Sequence, residues 1–489
     1  MSFLRRRAVL LLLSAVGLLT ISGCLKVGPD FQTPPAPDQV PAQFQGRNPA
    51  PGQLVTTDRW WESFGDPELN RLVEEALKRN LDLASADARV LELLANFGQA
   101  RAERFPQINL TPSAKKQRQA LGTITPVPQD LSMETESYNL SVAASFEVDL
   151  WGRLARTEEA ARADLAQAWE TRRTVAQTTA ARVVTSYLTI EALERRLGVA
   201  AQSLDATRQS LDRVEGRYRR GLVSVLDLYQ ARRSLEEAKS KIPSLRQELA
   251  QEQQRLGILL GRYPKTSPPR SQPADYFPDL PPVPAGLPSE LLLRRPDVAA
   301  AQASLEALNA RIGAAKAARF PTLTLTGSWG YVSDGLESLI RPENELWNLT
   351  AGLVAPIFDA GLRKSRQDAA EARYQQGLAS WATTVLTAFS EVEGALVVRQ
   401  QQMARRELVQ RALTEAISTQ RSAEERYNRG LVEYISVLDA LSTRYRLADE
   451  LVLNELAILT NRVSLYRALG GGWGAPQDSL AANNPGVKP

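Results

Sequence analysis

The chain has 489 residues, with 59 Lys or Arg against 55 Asp or Glu, one cysteine, three methionines and no histidine. A net charge of +4 is small for this length, and the two signs interleave along the chain, which argues against a nucleic-acid-binding stripe. Without histidine the commonest general base and transition-metal ligand are missing, so neither a catalytic set nor a metal or other cofactor site is expected.

The N-terminus opens with Arg5-Arg6-Arg7, an apolar run from Ala8 to Thr20, and Ile21-Ser22-Gly23-Cys24. That order is a secretory signal, and the apolar run is too short for a spanning helix. Residues 1–23 are therefore expected to be removed. Small residues ahead of a cysteine resemble a bacterial lipobox, and the resemblance implies a covalent lipid on Cys24. A lone cysteine in an exported chain cannot close an internal disulfide, which leaves it for another role. Leu25 follows it, and by analogy with bacterial lipoprotein sorting this favours the outer membrane.

Residues 24–66 read as an extended leader rich in proline, glycine and glutamine. Trp60-Trp61-Glu62-Ser63-Phe64 is expected to plug this leader into the body. Asp66-Pro67-Glu68 then supplies an N-cap, a proline in the first turn and an early acid, so Pro67 to Arg104 is expected to be helical.

The helix ends at Arg104-Phe105-Pro106, and Arg319-Phe320-Pro321 repeats that ending 215 residues later (319 − 104). After each proline the apolar period changes to two. Tyr138, Leu140, Val142, Ala144, Phe146 and Val148 alternate with polar residues in the first copy. Leu323, Leu325, Trp329 and Tyr331, then Trp347, Leu349 and Leu353, do so in the second. These are strands with one apolar face, about ten residues long, as a tilted strand across a bilayer requires. One hairpin is expected in each copy, at about 107–149 and 322–357. Four strands cannot close a barrel, and an open edge is not tolerated in lipid. Either the hairpins pack on a soluble body, or several chains pool their strands; the export signal and the alternation favour pooling.

A very long helix follows Arg153. Ala176, Val183, Ile190, Leu197, Leu204, Leu211 and Tyr218 recur every seven residues, with Leu193, Ala200, Thr207 and Val214 as a second row. These are the two seams of a coiled coil. From Arg153 to Tyr218 such a helix reaches roughly 100 Å. A turn at Gly221 sends the chain back. The whole unit returns at a shift of 209 residues (426 − 217): Arg217-Tyr218-Arg219-Arg220-Gly221-Leu222-Val223 becomes Arg426-Tyr427-Asn428-Arg429-Gly430-Leu431-Val432. The chain is an internal duplication, residues 67–261 and 289–470, joined by a proline-rich connector at 262–288 and followed by a tail at 471–489. In the second copy Arg399, Arg406 and Gln420 fall on seam positions.

The lipobox, Trp60-Trp61 with Phe64, the two Arg-Phe-Pro endings and the duplicated tip together resemble the TolC-like outer-membrane factors, in the branch of lipidated OprM-like efflux lipoproteins. The resemblance covers essentially the mature chain. It implies a homotrimer with a duplicated long coiled-coil helical barrel and four strands per chain, pooled into a twelve-stranded outer-membrane barrel. It further implies a passive exit duct for small molecules such as drugs, served by an inner-membrane pump and a periplasmic adaptor. By motif position, Tyr427 and Asp227 sit where an aperture-locking contact is found, Asp439 at a ring aspartate, and Ile435 at the narrowest part. Gly221-Leu222-Val223 and Gly430-Leu431-Val432 fall at tips that contact the adaptor. Ser436 and Val432 replace an acid and an arginine that some members carry, so the lock here is expected to be weaker or differently wired. Two other readings stand beside this one: a type I protein-secretion duct, and a coiled-coil lipoprotein tethering envelope layers. The amphipathic hairpins argue against the tether.

Overall fold

A computed structural model of the chain describes residues 26–35, 44, 59–120, 132–268, 280, 283 and 294–471. The signal segment, Cys24, most of the connector and the tail beyond residue 471 lie outside the described residues.

Each half repeats one order of elements. The first half runs α1 (Pro67–Arg79), α2 (Leu81–Ala102), β1 (Gln107–Ala120), β2 (Ser132–Val148), α3 (Arg153–Tyr218) and α4 (Val225–Leu259). The second runs α5 (Pro296–Ala317), β3 (Thr322–Ser333), β4 (Glu345–Val354), α6 (Leu362–Asn428) and α7 (Tyr434–Ala468). Contacts divide the chain into two compact units that are not the two repeats. One gathers the leader up to Pro34 with Val90–Ala168 and Ala301–Trp381; the other holds Pro35–Arg89, Trp169–Ala300 and the chain from Ala382 onward. Among the described residues no helix is long and apolar enough to cross a membrane.

The single helix expected from Pro67 to Arg104 is two helices, broken at Asn80. Asn80 is extended (φ −63°, ψ 132°) and buried. Its Oδ1 accepts from the Leu83 amide (3.1 Å) and so caps α2, while its Nδ2 donates to the Leu259 carbonyl (2.9 Å) at the end of α4. A side chain that caps one helix and closes another holds the break. Arg295 does the equivalent work in the second repeat. Its Nη1 donates to the Ala468 carbonyl at the end of α7 (3.0 Å), and its guanidinium pairs with Asp297 and Glu391.

In the first unit the two hairpins form one antiparallel sheet in the order β1-β2-β3-β4. β2 joins them: Leu140 lies between Pro112 of β1 and Tyr331 of β3, and Val142 between Leu110 and Trp329. The first hairpin is the longer, with strands of 14 and 17 residues against 12 and 10. Its pairing continues to Ala120 and Ser132.

In the second unit the core is built on Trp60, Trp61, Leu69, Val73, Val183, Val184 and Leu188. Trp60 stacks on Tyr466 (5.2 Å between ring centres), which confirms the plug role expected of the paired tryptophans. Along α3 the row Leu193, Ala200, Thr207 and Val214 is buried throughout. The other row is buried at Ala176, Val183 and Ile190 and drifts outward to Tyr218, which is exposed. A straight helix drifts against a seven-residue repeat, so one row stays seated while the other turns away. Two of the three polar residues on the α6 seam, Arg406 and Gln420, are paired. Arg406 reaches Glu455 (2.9 Å), and Gln420 accepts from Arg444 (2.7 Å) while donating to Glu424 (2.9 Å).

Candidate functional site

The register sorts the sheet into two chemically distinct faces. Because successive side chains alternate, Ile108 and Leu110 share a face with Leu140, Val142, Ala144 and Phe146, then with Leu323, Leu325 and Trp329, and then with Trp347, Leu349 and Leu353. That face is apolar across all four strands, and within the chain it is open: Leu349 is 78% and Ile108 70% exposed. The opposite face carries Asn109 and Thr111, Asn139, Ser141 and Ser145, Thr324, Thr326 and Ser328, Asn348 and Thr350. Asn348 donates to Ser328 across the strands (2.7 Å).

From Tyr138 to Val148 the apolar band runs about 33 Å along β2, and about 25 Å in height once tilted by about 40°. Aromatic rings gather at both ends. Trp329 packs edge-on to Tyr331 (5.6 Å) and donates to Glu345 (2.7 Å) at one end. Trp151 stacks on Phe320 (4.7 Å) and donates to the Pro321 carbonyl (2.8 Å) at the other. Such girdles suit the two interfaces of a bilayer. β1 and β4 each pair on one side only, so both edges of the sheet are unpaired within the chain.

The leader docks on the base of this same unit, and one residue that sequence reasoning passed over organises the contact. Arg156, in the first turn of α3, is fully buried. It donates to the carbonyls of Val27 (3.3 Å) and Gly28 (3.1 Å) and pairs with Asp30 (2.8 Å) and Glu159 (3.0 Å). Val27 donates to the Trp151 carbonyl, and Asn309 of α5 donates to that of Pro29. Gly28 (φ 102°) lies so close to α5 that a Cβ there would stand 2.5 Å from the Gly313 Cα. An arginine in the first turn of a helix reads as a solvated surface charge, so no sequence signal marks its burial.

The two helical tips close in the same way. Gly221 (φ 72°) and Gly430 (φ 74°) are left-handed. The Leu222 amide donates to the Arg217 carbonyl and the Gly221 amide to Tyr218; Leu431 and Gly430 bond likewise to Arg426 and Tyr427. This is the Schellman ending, which needs glycine at its left-handed position. Leu222 and Leu431 are exposed, whereas Val223 and Val432 are partly buried against a shared core of Val214, Leu228, Tyr427, Tyr434, Val437 and Leu441. Val225, Leu226 and Tyr229, on the first turns of α4, are also exposed beside the first tip.

Of the aperture residues named from the sequence, Asp439 and Ile435 lie one turn apart on α7 and are both exposed. Tyr427 is buried instead, with its ring 5.4 Å from that of Tyr434. The expected Tyr427–Asp227 contact is not a hydrogen bond. Asp227 accepts from the Ser224 amide (3.2 Å) while Ser224 accepts from the Asp227 amide (3.2 Å), a capping box that starts α4. The Tyr427 hydroxyl is buried without a hydrogen-bond partner among the described residues. Burial raises this phenol above its ordinary range; the Arg217 guanidinium pulls it down and the Asp227 carboxylate pushes it up. Arg217, which in the sequence only marks the duplicated tip, lies over the Tyr427 ring (4.9 Å to its centre).

Comparison with known proteins agrees with this geometry. The family model described as outer membrane efflux protein matches residues 72–262 and 287–471. The cation efflux system protein CusC of Escherichia coli K12 is 34% identical over 460 residues, covering 93% of this chain and 97% of that protein. The solvent efflux pump outer membrane protein SrpC of Pseudomonas putida is 32% identical, covering 94% of this chain and 98% of that one. The solved structure of the outer-membrane channel OprN superposes with a TM-score of 0.85 at 28% identity, covering 92% of this chain and 99% of that one.

Proposed function

The chain belongs to the outer membrane efflux protein family, and from that premise we propose that three copies form the passive exit duct of a tripartite pump for small molecules. The four-stranded sheet carries this reading. It has one continuous apolar face of bilayer height, one hydroxyl- and amide-lined face, and two unpaired edges. Unpaired edges cannot face lipid, so the strands of neighbouring copies must close them. Three copies supply twelve strands with the apolar face outward and a polar lumen inside.

The remaining parts take their places around that barrel. A lipid on Cys24 anchors the leader in the outer membrane. Asp439 and Ile435 line the periplasmic aperture, and three Asp439 carboxylates about one axis repel one another and attract cations. Tyr427 and Asp227 support that aperture as ring packing and helix cap. Gly221 and Gly430 set the two turns, Leu222 and Leu431 present apolar surface to a periplasmic adaptor, and Val223 and Val432 seat those leucines on the tip core. An inner-membrane pump supplies the energy and chooses the cargo. The duct needs no cofactor and performs no catalysis.

The first test is accumulation of a panel of fluorescent dyes and antibiotics in a strain lacking the protein, with and without complementation. Higher accumulation in its absence, restored by complementation, supports small-molecule efflux. Unchanged accumulation together with a changed secreted-protein profile would move the assignment to protein secretion.

A further inference from the structure

The tip holds together in a way that the duct reading does not by itself explain. The seam within the first repeat, between α3 and α4, is apolar: Ile190, Leu193 and Ala200 meet Leu245 and Leu249. The seam between repeats at the tip is rimmed by polar contacts from one stripe of α3. Ser210 meets the Tyr434 hydroxyl (3.1 Å), Arg213 faces Glu424 (3.6 Å), and Arg217 reaches the end of α6. Positions 210, 213 and 217 lie on one helix face. The Ser210–Tyr434 contact is buried, but those of Arg213 and Arg217 are partly solvated and are exchanged for water at less cost than apolar packing. The arginine contacts are therefore the part of this seam that is released first, over an apolar core that Val214 and Leu228 share with Tyr427, Tyr434 and Val437.

Arg217 makes the most elaborate of these contacts. Its Nη1 donates to the carbonyls of Tyr427 (3.3 Å) and Asn428 (3.1 Å), the last residues of α6. Carbonyls in a last helical turn have no partner within the helix and carry the negative end of its dipole. The same guanidinium covers the Tyr427 ring, a cation–π arrangement. The hydroxyl of that tyrosine contributes no hydrogen bond among the described residues, and the Asp227 carboxylate is engaged in capping α4. Resting on the aperture reading above, we propose that Arg217 is the latch that holds the second-repeat tip against the first. It grips the ring and terminal carbonyls of α6, and its release frees α6–α7 to swing.

The test is planar-bilayer recording of the purified full-length trimer, comparing wild type with Arg217→Ala, Arg217→Lys, Tyr427→Phe and Tyr427→Leu. Helix content and trimer yield are checked for each. Losing a cation–π contact and two charge-assisted bonds is expected to raise open probability about tenfold in Arg217→Ala, with Arg217→Lys in between. Tyr427→Phe keeps the ring and the carbonyls and is expected to record as wild type, whereas Tyr427→Leu removes the ring and is expected to open. Arg217→Ala recording as wild type overturns the latch. So does opening by Tyr427→Phe as large as that by Arg217→Ala, because the hydroxyl is then the gripping group. Should Arg217→Ala fail to assemble, the Tyr427→Phe and Tyr427→Leu pair still decides the matter, and equal behaviour of the two rejects it. Absence of any pore in wild type defeats the duct reading instead, and is distinguishable from every outcome above.

Discussion

A buried hydroxyl and a half-buried carboxyl show how single residues set local stability here. The Tyr427 hydroxyl lies inside the tip core without a hydrogen-bond partner among the described residues. A buried unpaired hydroxyl costs its desolvation, about 1–3 kcal/mol, and returns nothing. Tyr427→Phe is therefore expected to match or exceed wild type in thermal unfolding of the helical signal. A drop of several degrees would show that the hydroxyl has a partner in the assembled protein. Glu306 in α5 is a second case. Burial first, and the Glu159 carboxylate next, raise its pKa above the ordinary carboxylate value, with Arg162 opposing. The folded state thus prefers the protonated acid. Its destabilising effect is absent below the unfolded pKa, grows as pH rises through the interval between the two, and is complete above the folded pKa. Glu306→Gln is expected to stabilise the protein at pH 7 and to have no effect near pH 3; denaturant midpoints at the two pH values check this.

At the scale of elements, what was legible in the sequence was periodicity. The seven-residue rows of α3, the two-residue alternation in β2, β3 and β4 and the duplicated tip appear where the sequence pattern puts them, because each is a repeated demand for burial on one face. What was not legible were contacts made between distant elements. Asn80 sits in a run that continues a helical pattern on both sides, and only its bond to the Leu259 carbonyl marks the break. Asp227 and Tyr427 come to the same tip, but the capping box that engages Asp227 is a local competitor that motif matching ignored. Arg156 looks like any helix-surface cation until Gly28 and Asp30 fold over it. Removing it leaves two leader carbonyls and the Asp30 and Glu159 carboxylates without their shared donor. Asp30 is largely exposed and returns to water, so the loss falls mainly on the two carbonyl bonds, each to a charged donor and contributing about 1.5–3 kcal/mol. Arg156→Ala is therefore expected to release the leader, read as new cleavage next to Lys26 in limited proteolysis with the strand signal intact. Unchanged resistance there would mean that the Val27 and Asn309 bonds suffice. The sheet makes its own prediction. Leu349→Arg places a cation on the apolar face and is expected to cost about 2–4 kcal/mol at mid-membrane, lowering the yield of folded trimer. Thr350→Arg, one residue on and facing the other way, is expected to assemble normally. Equal tolerance of both would deny that the two faces see different solvents.

For the whole molecule, the decisive consequence of symmetry is that any exposed charge on the lumen side is tripled. Opposite the apolar band the polar face of the sheet is lined by serine, threonine and asparagine, and Glu147 at its base is paired with Arg153 (2.7 Å), while Lys115 lies on this face beyond the band. The barrel therefore has little means of telling cations from anions. Asp439, exposed on α7 one turn from Ile435, is different. On the aperture proposed above, three such carboxylates near one axis, in a passage narrowed by three Ile435 side chains, would produce a negative potential that water and salt screen only over about 8–10 Å. Selectivity should then reside at the aperture and weaken as ionic strength rises, because screening shortens the reach of the ring. Under a salt gradient the wild-type pore is expected to show a cation-selective reversal potential, larger in dilute than in concentrated electrolyte. Asp439→Asn keeps size and polarity and removes the three charges, so its reversal potential is expected to move toward zero while single-channel conductance at high salt stays near that of wild type. A reversal potential unchanged in Asp439→Asn would place the filter elsewhere.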